Sequence, residues 1–419
     1  MDSLNQSNIG VEFNTKEYPS MDIICLSIGR SDSYISSTGL FLAKEFANKN
    51  RVFFIDHPYS WKDFLGAAMN HLKPNIKRAL ALGKISFSNP EDFPKNLTVV
   101  NSGLTLPINF LPSGFIYNCF LKLNDLIVTK AINACVKSYG IKDFIFINFS
   151  DPFFLNNFSP QITPVKKIYY CLDDFSEVPY SQKHGLSMEN YCVANFDYTL
   201  CTSLELVKLK SAISSKVYYL PNAADTELFN KAAKEKLVKP IEIQSINTPI
   251  IGYIGNIEYR TDFELLKKVA LRNQDKTIVL VGPVQTKEHI RLGLDKMPNV
   301  VFLGPKKISK IPNYLQYFDC TIIPFLKNTT TRSVYPLKIN EQLSAGKPVI
   351  AINFSEDIKS FEDVAYIRDT HDEFLDAIDL ALVENSQEKI QERLRRAAHN
   401  SWIARANKFW DIFTNEMGK

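Results

Sequence analysis

The stretch Thr331-Arg332-Ser333-Val334-Tyr335-Pro336-Leu337-Lys338-Ile339-Asn340-Glu341-Gln342-Leu343-Ser344-Ala345-Gly346-Lys347-Pro348-Val349-Ile350 carries the clearest local signal in the chain. Pro336 suits a first helical position, because its φ is already helical and its missing N–H would have had no partner there. Gly346 suits the left-handed stop after a helix. Their spacing predicts a helix of roughly ten residues that runs directly into a strand. Hydroxyl donors and Arg332 precede it, and free N–H groups with the helix dipole favour an anion at that end. Lys338 and Glu341 share one helix face. A cation in the first turn can meet a phosphate, and a carboxylate one turn deeper can accept from the two hydroxyls of a ribose. That division of labour suits a nucleotide diphosphate. An ordinary Lys–Glu pair on a solvated face has the same spacing.

On either side lie short apolar runs, all but the last closing on Gly or Pro. They are Ile250–Gly255, Thr277–Gly282, Val300–Gly304, Cys320–Pro324 and Pro348–Ile352, with helical patterns at Phe263–Leu271, Ile311–Phe318 and Phe374–Leu382. Apolar strands separated by helices predict a parallel sheet covered on both faces. The first half of the chain repeats the scheme. Met21–Gly29 is a strand, Leu40, Phe41, Ala43, Phe46 and Ala47 form a helix face, and Arg51–Pro58 is a second strand. This is a parallel crossover unit. Further strands are expected at Leu97–Asn101, Phe144–Asn148, Lys167–Leu172, Tyr198–Thr202 and Val217–Leu220.

Three segments are less regular. Trp61–Lys95 carries Lys73, Lys77, Arg78 and Lys84 among apolar residues. Leu106–Ala134 is apolar and aromatic, with Phe110, Leu111, Phe115, Ile116, Tyr117 and Phe120. It fits a surface touching lipid or a lipid-linked acceptor, and it fits a core helix pair beside a solvated basic face. Lys231–Asn247 is rich in Lys and Glu and fits a linker or surface helix, while Glu388–Met417 forms one long amphipathic pattern. The predicted fold class is α/β, with two doubly wound domains and a terminal helix. Ligands in such sheets bind beyond the carboxyl ends of the strands, so the cleft between two such domains is the expected site.

Composition agrees with this outline. At ~150 residues per domain, 419 residues give two or three domains. The 49 Lys+Arg and 45 Asp+Glu leave a net charge of only +4, too little for a dedicated nucleic-acid binder. No run reaches the ~18 apolar residues of a membrane span. The polar N-terminus lacks the basic start and apolar run of a signal peptide. The odd set Cys25, Cys119, Cys135, Cys171, Cys192, Cys201 and Cys320 has no zinc-site spacing, which predicts reduced thiols in a cytoplasmic protein.

The Pro336-Leu337-Lys338 helix with Glu341, followed by Ala345-Gly346-Lys347-Pro348-Val349, resembles the signature of GT-B glycosyltransferases of the "glycosyl transferases group 1" type. Gly252–Asp262, Val281–Val284, Asn299–Gly304 and Asp319–Phe325 are similar to the donor domain of that family, and Tyr169–Asp174 and Leu220–Phe229 match patterns of its first half. The resemblance is strongest to bacterial polysaccharide-assembly enzymes of the teichuronic acid type. It implies GT-B architecture: two Rossmann-like domains facing across a cleft, with a C-terminal helix crossing back. The implied division is a flexible leader at 1–20, an acceptor-binding domain at 21–222, a nucleotide-sugar-binding domain at 223–395, and a helix at 396–419 packing on the N-terminal domain.

By the same resemblance, Lys338 and Arg260 contact the diphosphate, with Arg332 a second candidate, and Glu341 contacts the ribose. Gly304, Lys307 and Ile308 line the base, while Gly255, Gly282, Ser333, Pro336 and Leu337 complete the donor side. Arg260 could instead pair with Glu258 or Asp262. Many members carry a further glutamate where this chain has Ser333, so the sugar contact differs here. Fixed cations and N–H groups can stabilise a leaving diphosphate without a metal, and metal independence is expected.

On the acceptor side, Asp173 and Asp174 stand at a strand's carboxyl end and are candidates for the proton-handling group, Asp174 ahead of Asp173, unless they only cap a loop. Gly29-Arg30-Ser31-Asp32 takes the place of the family's glycine-rich acceptor loop, where Asp32 is a third catalytic candidate and Arg30 could meet an acceptor phosphate or hydroxyl. His57 at the end of the second strand is another acceptor-side candidate, although a lone His is more often structural. His184 lies in a polar loop. The expected function is transfer of a sugar from a nucleotide-sugar (a UDP-, GDP- or other donor, with no bound cofactor) to a hydroxyl of a glycan or lipid-linked acceptor. The setting would be bacterial surface polysaccharide synthesis, with the inner membrane face as a place of peripheral contact. The alternatives are a non-catalytic scaffold on this fold and a sugar-nucleotide epimerase.

Overall fold

The computed structural model describes residues 18, 20–33, 37–69, 84–155, 158, 160–161, 163–177, 183–384 and 386–418. The expected leader, apart from Tyr18 and Ser20, lies outside them, as do Lys73, Lys77 and Arg78. The chain forms two compact units. One includes Asn222–Arg405; the other includes the described residues up to Pro221 together with the segment from Ala406 onward.

The unit up to Pro221 is built on a sheet of β1 (Asp22–Ser27), β2 (Val52–Asp56), β3 (Ser86–Ser88), β4 (Leu97–Asn101), β5 (Phe144–Phe149), β6 (Lys166–Cys171), β7 (Tyr198–Cys201) and β8 (Val217–Tyr219). Its order is β3-β4-β2-β1-β5-β6-β7-β8. Ile23 pairs with Val52 on one side and Ile145 on the other, both parallel; only β3 runs antiparallel, against β4. The sequence pattern missed β3 because a three-residue Ser-Phe-Ser edge strand has too little apolar periodicity to register.

Successive side chains of β1 feed opposite faces of this sheet. Ile23 and Cys25 join Phe46, Phe409, Trp410 and Phe413 in one core. Ile24 and Leu26 join Val128, Ala131, Ile132 and Cys135 of the Phe115–Tyr139 helix in the other. That helix starts after Gly114 and stops at Gly140, whose φ of 61° is a left-handed conformation that favours glycine. Its inner face is core, while Phe115, Ile116, Phe120, Leu123 and Leu126 on the same helix are exposed. The core reading of this segment holds for the inner face, and the outer face is exposed and apolar.

The unit from Asn222 to Arg405 carries β9 (Ile250–Ile254), β10 (Thr277–Val281), β11 (Val300–Gly304), β12 (Cys320–Ile323), β13 (Val349–Ile352) and β14 (Tyr366–Arg368). The order is β11-β10-β9-β12-β13-β14, with all pairs parallel. Strand order reverses between β9 and β12, where such sheets open a crevice at their carboxyl ends.

Two boundaries differ from the sequence pattern. The Lys/Glu-rich stretch is not a plain linker: it begins inside a Thr226–Lys234 helix capped by Asp225 and continues to a short turn of 3₁₀ helix at Ile241–Ile243. The C-terminal pattern is broken into helices Gln387–Ala398 and Trp402–Met417. At the break, the Asn400 carbonyl accepts from the Ala224 N–H (3.0 Å), and the Ser401 hydroxyl accepts from the N–H of Ala404 (3.2 Å). A long-range bridge and a new cap thus outcompete helix continuation. In the second helix Ala406, Phe409, Trp410 and Phe413 recur at helical spacing and fill the core beside β1. Phe409→Ala should therefore destabilise this unit by about 3–5 kcal/mol, read as a lowered midpoint in urea unfolding.

Candidate functional site

The helix of the quoted segment spans Leu337–Ser344. Pro336 is its N-cap, one place earlier than expected, and no side chain caps that end. The other end follows the expected stop. Gly346 has φ 71°, its N–H donates to Leu343 O (2.9 Å), and the Lys347 N–H donates to Gln342 O (3.1 Å). This crossed pair of bonds satisfies the last carbonyls and turns the chain into β13.

Lys338 crosses from this helix to β9. Its Nζ donates to the Tyr253 hydroxyl (2.9 Å) and stands 4.8 Å from the centre of the Tyr253 ring and 4.6 Å from that of Phe325, just past β12. The ammonium is thus held at the point where strand order reverses. Gly255 makes room for it: a Cβ there would lie 2.0 Å from Lys338 Cε. Gly255 also has φ 139°, a conformation that side chains rarely adopt. A Cβ on Gly282 would in turn lie 1.9 Å from the Gly255 carbonyl oxygen.

Glu341 follows one turn after Lys338 and is half-buried. Burial pushes its carboxyl up to about 8; the charge of Lys338 opposes the rise and that of Asp225 adds to it. A carboxylate destabilised by lost hydration, with Lys338 as the opposing charge, is short of donors. Hydroxyl donors from a ligand would meet that need.

The other predicted donor-side residues are more dispersed. Arg260 is committed to Glu258, through Nε at 2.6 Å and through its terminal nitrogen. Asp262 caps the Phe263–Arg272 helix by accepting from Leu265 N (2.9 Å) and pairs with His371 Nε2 (2.9 Å). Arg332 is exposed at the end of the short Thr329–Arg332 helix, and Ser333 is buried as its C-cap. Gly304 closes β11 with φ 67°, and Lys307 and Ile308 follow, both exposed.

In the unit up to Pro221, Arg30 is enclosed by protein groups. Its Nε donates to Asp32 (3.0 Å) and one terminal nitrogen to the His57 carbonyl (2.5 Å), while its guanidinium lies 3.6 Å from the Tyr59 ring centre. The second terminal nitrogen is 3.5 Å from Asp56. Arg30 and Asp32 therefore brace each other. Asp174 accepts from both the N–H (3.0 Å) and the hydroxyl (2.7 Å) of Ser176, as a turn-forming residue does. Asp173 is exposed beside it, and the His184 ring nitrogen meets the Leu111 carbonyl at 2.9 Å.

His57 stands apart from these. Its Nδ1 lies 2.8 Å from Asp151 Oδ2. Asp151 is fully buried and its other oxygen, Oδ1, has no hydrogen-bond partner among the described residues. Burial opposes charging the His57 ring, but Asp151's charge and hydrogen bond outweigh it and the pKa is raised. The ring lines a cavity of about 380 Å³ with Ser60, Lys62, Asp63, Thr105, Asn124 and Phe154. Asp151 follows β5, the neighbour of β1 at this sheet's own reversal, and Ser150 before it has φ 50°. Backbone strain of this kind, about 1–3 kcal/mol, collects at functional sites. Sequence reading did not single out Asp151; its signal was Ser150-Asp151-Pro152 at a strand's carboxyl end.

Two largely parallel, doubly wound sheets in this strand order make the GT-B fold. Residues 248–384 match the family described as Glycosyl transferases group 1. Over 323 residues the chain is 26% identical to TuaH of Bacillus subtilis, named as a teichuronic acid biosynthesis glycosyltransferase, covering 64% of this chain and 80% of that one. Sucrose-phosphate synthase from Thermosynechococcus elongatus shares the fold with a TM-score of 0.65 at 15% identity, covering 95% of this chain and 99% of the other. HepE of Anabaena, solved in complex with UDP, gives a TM-score of 0.60 at 12% identity, covering 95% and 100%. The resemblance to group 1 and teichuronic-acid-type glycosyltransferases, and the GT-B fold class, are borne out.

Two outcomes test the donor-side geometry. Gly255→Ala must expel the Lys338 side chain from its notch, so uridine or guanosine diphosphate binding measured by calorimetry should fall about tenfold or more. Glu341 gives a pH signature. With its folded pKa near 8 and an unfolded value near ~4.3, the folded chain holds a proton that the unfolded chain loses between those values. Stability therefore falls as pH rises through that window. Glu341→Gln cannot ionise and should lose that slope, seen as melting temperatures that decline less between about pH 5 and about pH 8.

Proposed function

We propose that this chain is a metal-independent glycosyltransferase that moves a sugar from a nucleotide-sugar to a hydroxyl of a glycan or lipid-linked acceptor in bacterial surface polysaccharide assembly. The observation that carries this reading is Lys338 Nζ held in the Gly255 notch, with Glu341 one turn on at the uncapped helix. The relatives add support: TuaH is named as a teichuronic acid biosynthesis glycosyltransferase, and HepE was solved with UDP.

In this mechanism the diphosphate lies at the N-terminus of the Leu337–Ser344 helix, and its charge is met by Lys338 and backbone N–H groups. Glu341 accepts from the ribose hydroxyls. Gly304, Lys307 and Ile308 border the base, and Arg260 or Arg332 adds positive charge if it turns toward the phosphates. As the bond from the sugar's anomeric carbon to the phosphate oxygen breaks, the electron pair goes to that oxygen, and the fixed cation stabilises it. On the acceptor side, His57 Nε2 takes the hydroxyl proton while Asp151 holds Nδ1–H and stabilises the charged ring. In this reading Asp174 shapes its own turn with Ser176 and Asp32 braces Arg30, with Asp173 exposed beside Asp174.

Incubation with a panel of nucleotide-sugars and hydroxyl acceptors, read as acceptor-dependent nucleotide release, tests the reaction; no release with any pair would refute it. Lys338→Ala and Glu341→Ala should each weaken nucleotide binding about 10–100-fold, the ~1.5–3 kcal/mol of a charged hydrogen bond, with circular dichroism unchanged. His57→Gln should lower turnover about 10²–10⁴-fold while nucleotide affinity stays as in the parent protein.

A further inference from the structure

The outer face of the Phe115–Tyr139 helix is unusual for a protein surface. Ile116, Cys119, Phe120, Leu123 and Leu126 follow helical i, i+3, i+4, i+7, i+10 spacing and are all exposed. Phe115 is 84% exposed at the helix start and Phe110 is 72% exposed just before it. Among the described residues, Phe110, Phe115 and Phe120 are the exposed phenylalanines; the others are buried or half-buried. Scattered apolar residues on a surface need no explanation, but Phe110, Phe115, Ile116, Phe120, Leu123 and Leu126 within one short stretch do.

The exposed charges on this helix have one sign. Its single acid, Asp125, is buried and accepts from the Leu155 N–H (2.5 Å). Lys122, Lys130 and Lys137 are exposed, and Lys130 and Lys137 continue the face that starts with Ile116 and Leu123, two and three heptads on from Ile116. Lys183 reaches this region from another segment, donating to the Phe110 carbonyl at 2.5 Å. The face is thus apolar over its first turns and basic over its last. No helix among the described residues is long and apolar enough to cross a membrane. An amphipathic face of this kind instead lies in the bilayer interface, its rings among the acyl chains and its lysines among the phosphates.

We infer that this face docks on an anionic lipid bilayer, with Phe110, Phe115, Ile116, Phe120 and Leu123 inserted and Lys122, Lys130 and Lys137 against the headgroups. A protein partner or second copy would also cover the apolar turns. The uniformly basic continuation favours a surface carrying dense negative charge. The inference does not depend on sugar transfer, because its test reads binding alone.

Co-flotation of the full chain with vesicles decides it. Vesicles of phosphatidylcholine with about 30% phosphatidylglycerol should recover the protein about tenfold better than pure phosphatidylcholine, and added salt should reduce that preference. The paired substitution Phe115→Glu and Leu123→Glu, on exposed positions, should abolish recovery while melting temperature and nucleotide affinity stay unchanged. Lys130→Glu with Lys137→Glu should remove the preference for anionic vesicles and its salt dependence. Equal recovery with neutral lipid, or recovery indifferent to both pairs, overturns the inference. So does a dimer, seen by light scattering, that dissociates in the Phe115→Glu/Leu123→Glu protein while no vesicle binding occurs.

Discussion

The ammonium of Lys338 stands where a side chain on residue 255 would begin. That steric exclusion organises the whole carboxyl edge of the second sheet. Lys338 can reach back from its helix to Tyr253 and Phe325 only because Gly255 has no Cβ. Gly255 can take its φ of 139° only as a glycine, and Gly282 must also be bare because the Gly255 carbonyl fills its side-chain space. The helix is fixed at its far end by the Gly346 stop, packed against Ile390. A cation so placed, against two aromatic faces and one hydroxyl, keeps donor capacity for a ligand. The raised pKa of Glu341 belongs to the same arrangement, since the packing that sets Lys338 also strips water from the carboxyl.

The first sheet solves a related problem with different groups. Its central strands are buried on both faces, so polar chemistry is confined to their carboxyl ends. There the Arg30, Asp32 and Asp56 charges satisfy one another, and Ser31 donates to Asp56 through both N–H (2.7 Å) and hydroxyl (2.9 Å). That cluster is closed. The His57–Asp151 pair is open, with one buried carboxylate oxygen unpartnered among the described residues and the ring facing a cavity. A closed network rigidifies a loop, whereas an open one leaves capacity for a bound molecule.

Much of the architecture was legible because buried parallel strands declare themselves as short apolar runs between turn residues. Ile250–Ile254, Thr277–Val281 and Phe144–Phe149 stood out for this reason. What escaped lacked that signal. Ser86–Ser88 pairs at an edge with little apolar content, and the break at His399–Ser401 depends on a bridge to Ala224, far away in sequence. In the first sheet, adjacent acids at a strand end drew attention to Asp173 and Asp174. The carboxylate that meets a histidine is Asp151, which follows a different strand from His57. No local pattern links residues 57 and 151; only the sheet order does.

The amino-acid sequence by itself determined the two parallel sheets, the glycine-stopped helix and the Lys338–Glu341 pair on one face, because each rests on local periodicity and turn chemistry. Tertiary structure alone decided which charges are spent and which are available. Arg260 is held by Glu258 and Arg30 by Asp32, while Lys338 is drawn onto Tyr253 and the outer face of the Phe115–Tyr139 helix is left uncovered. The reason is physical: a side chain's partner is set by what the fold brings within about 3 Å of it, and that proximity is not encoded in spacing along the chain.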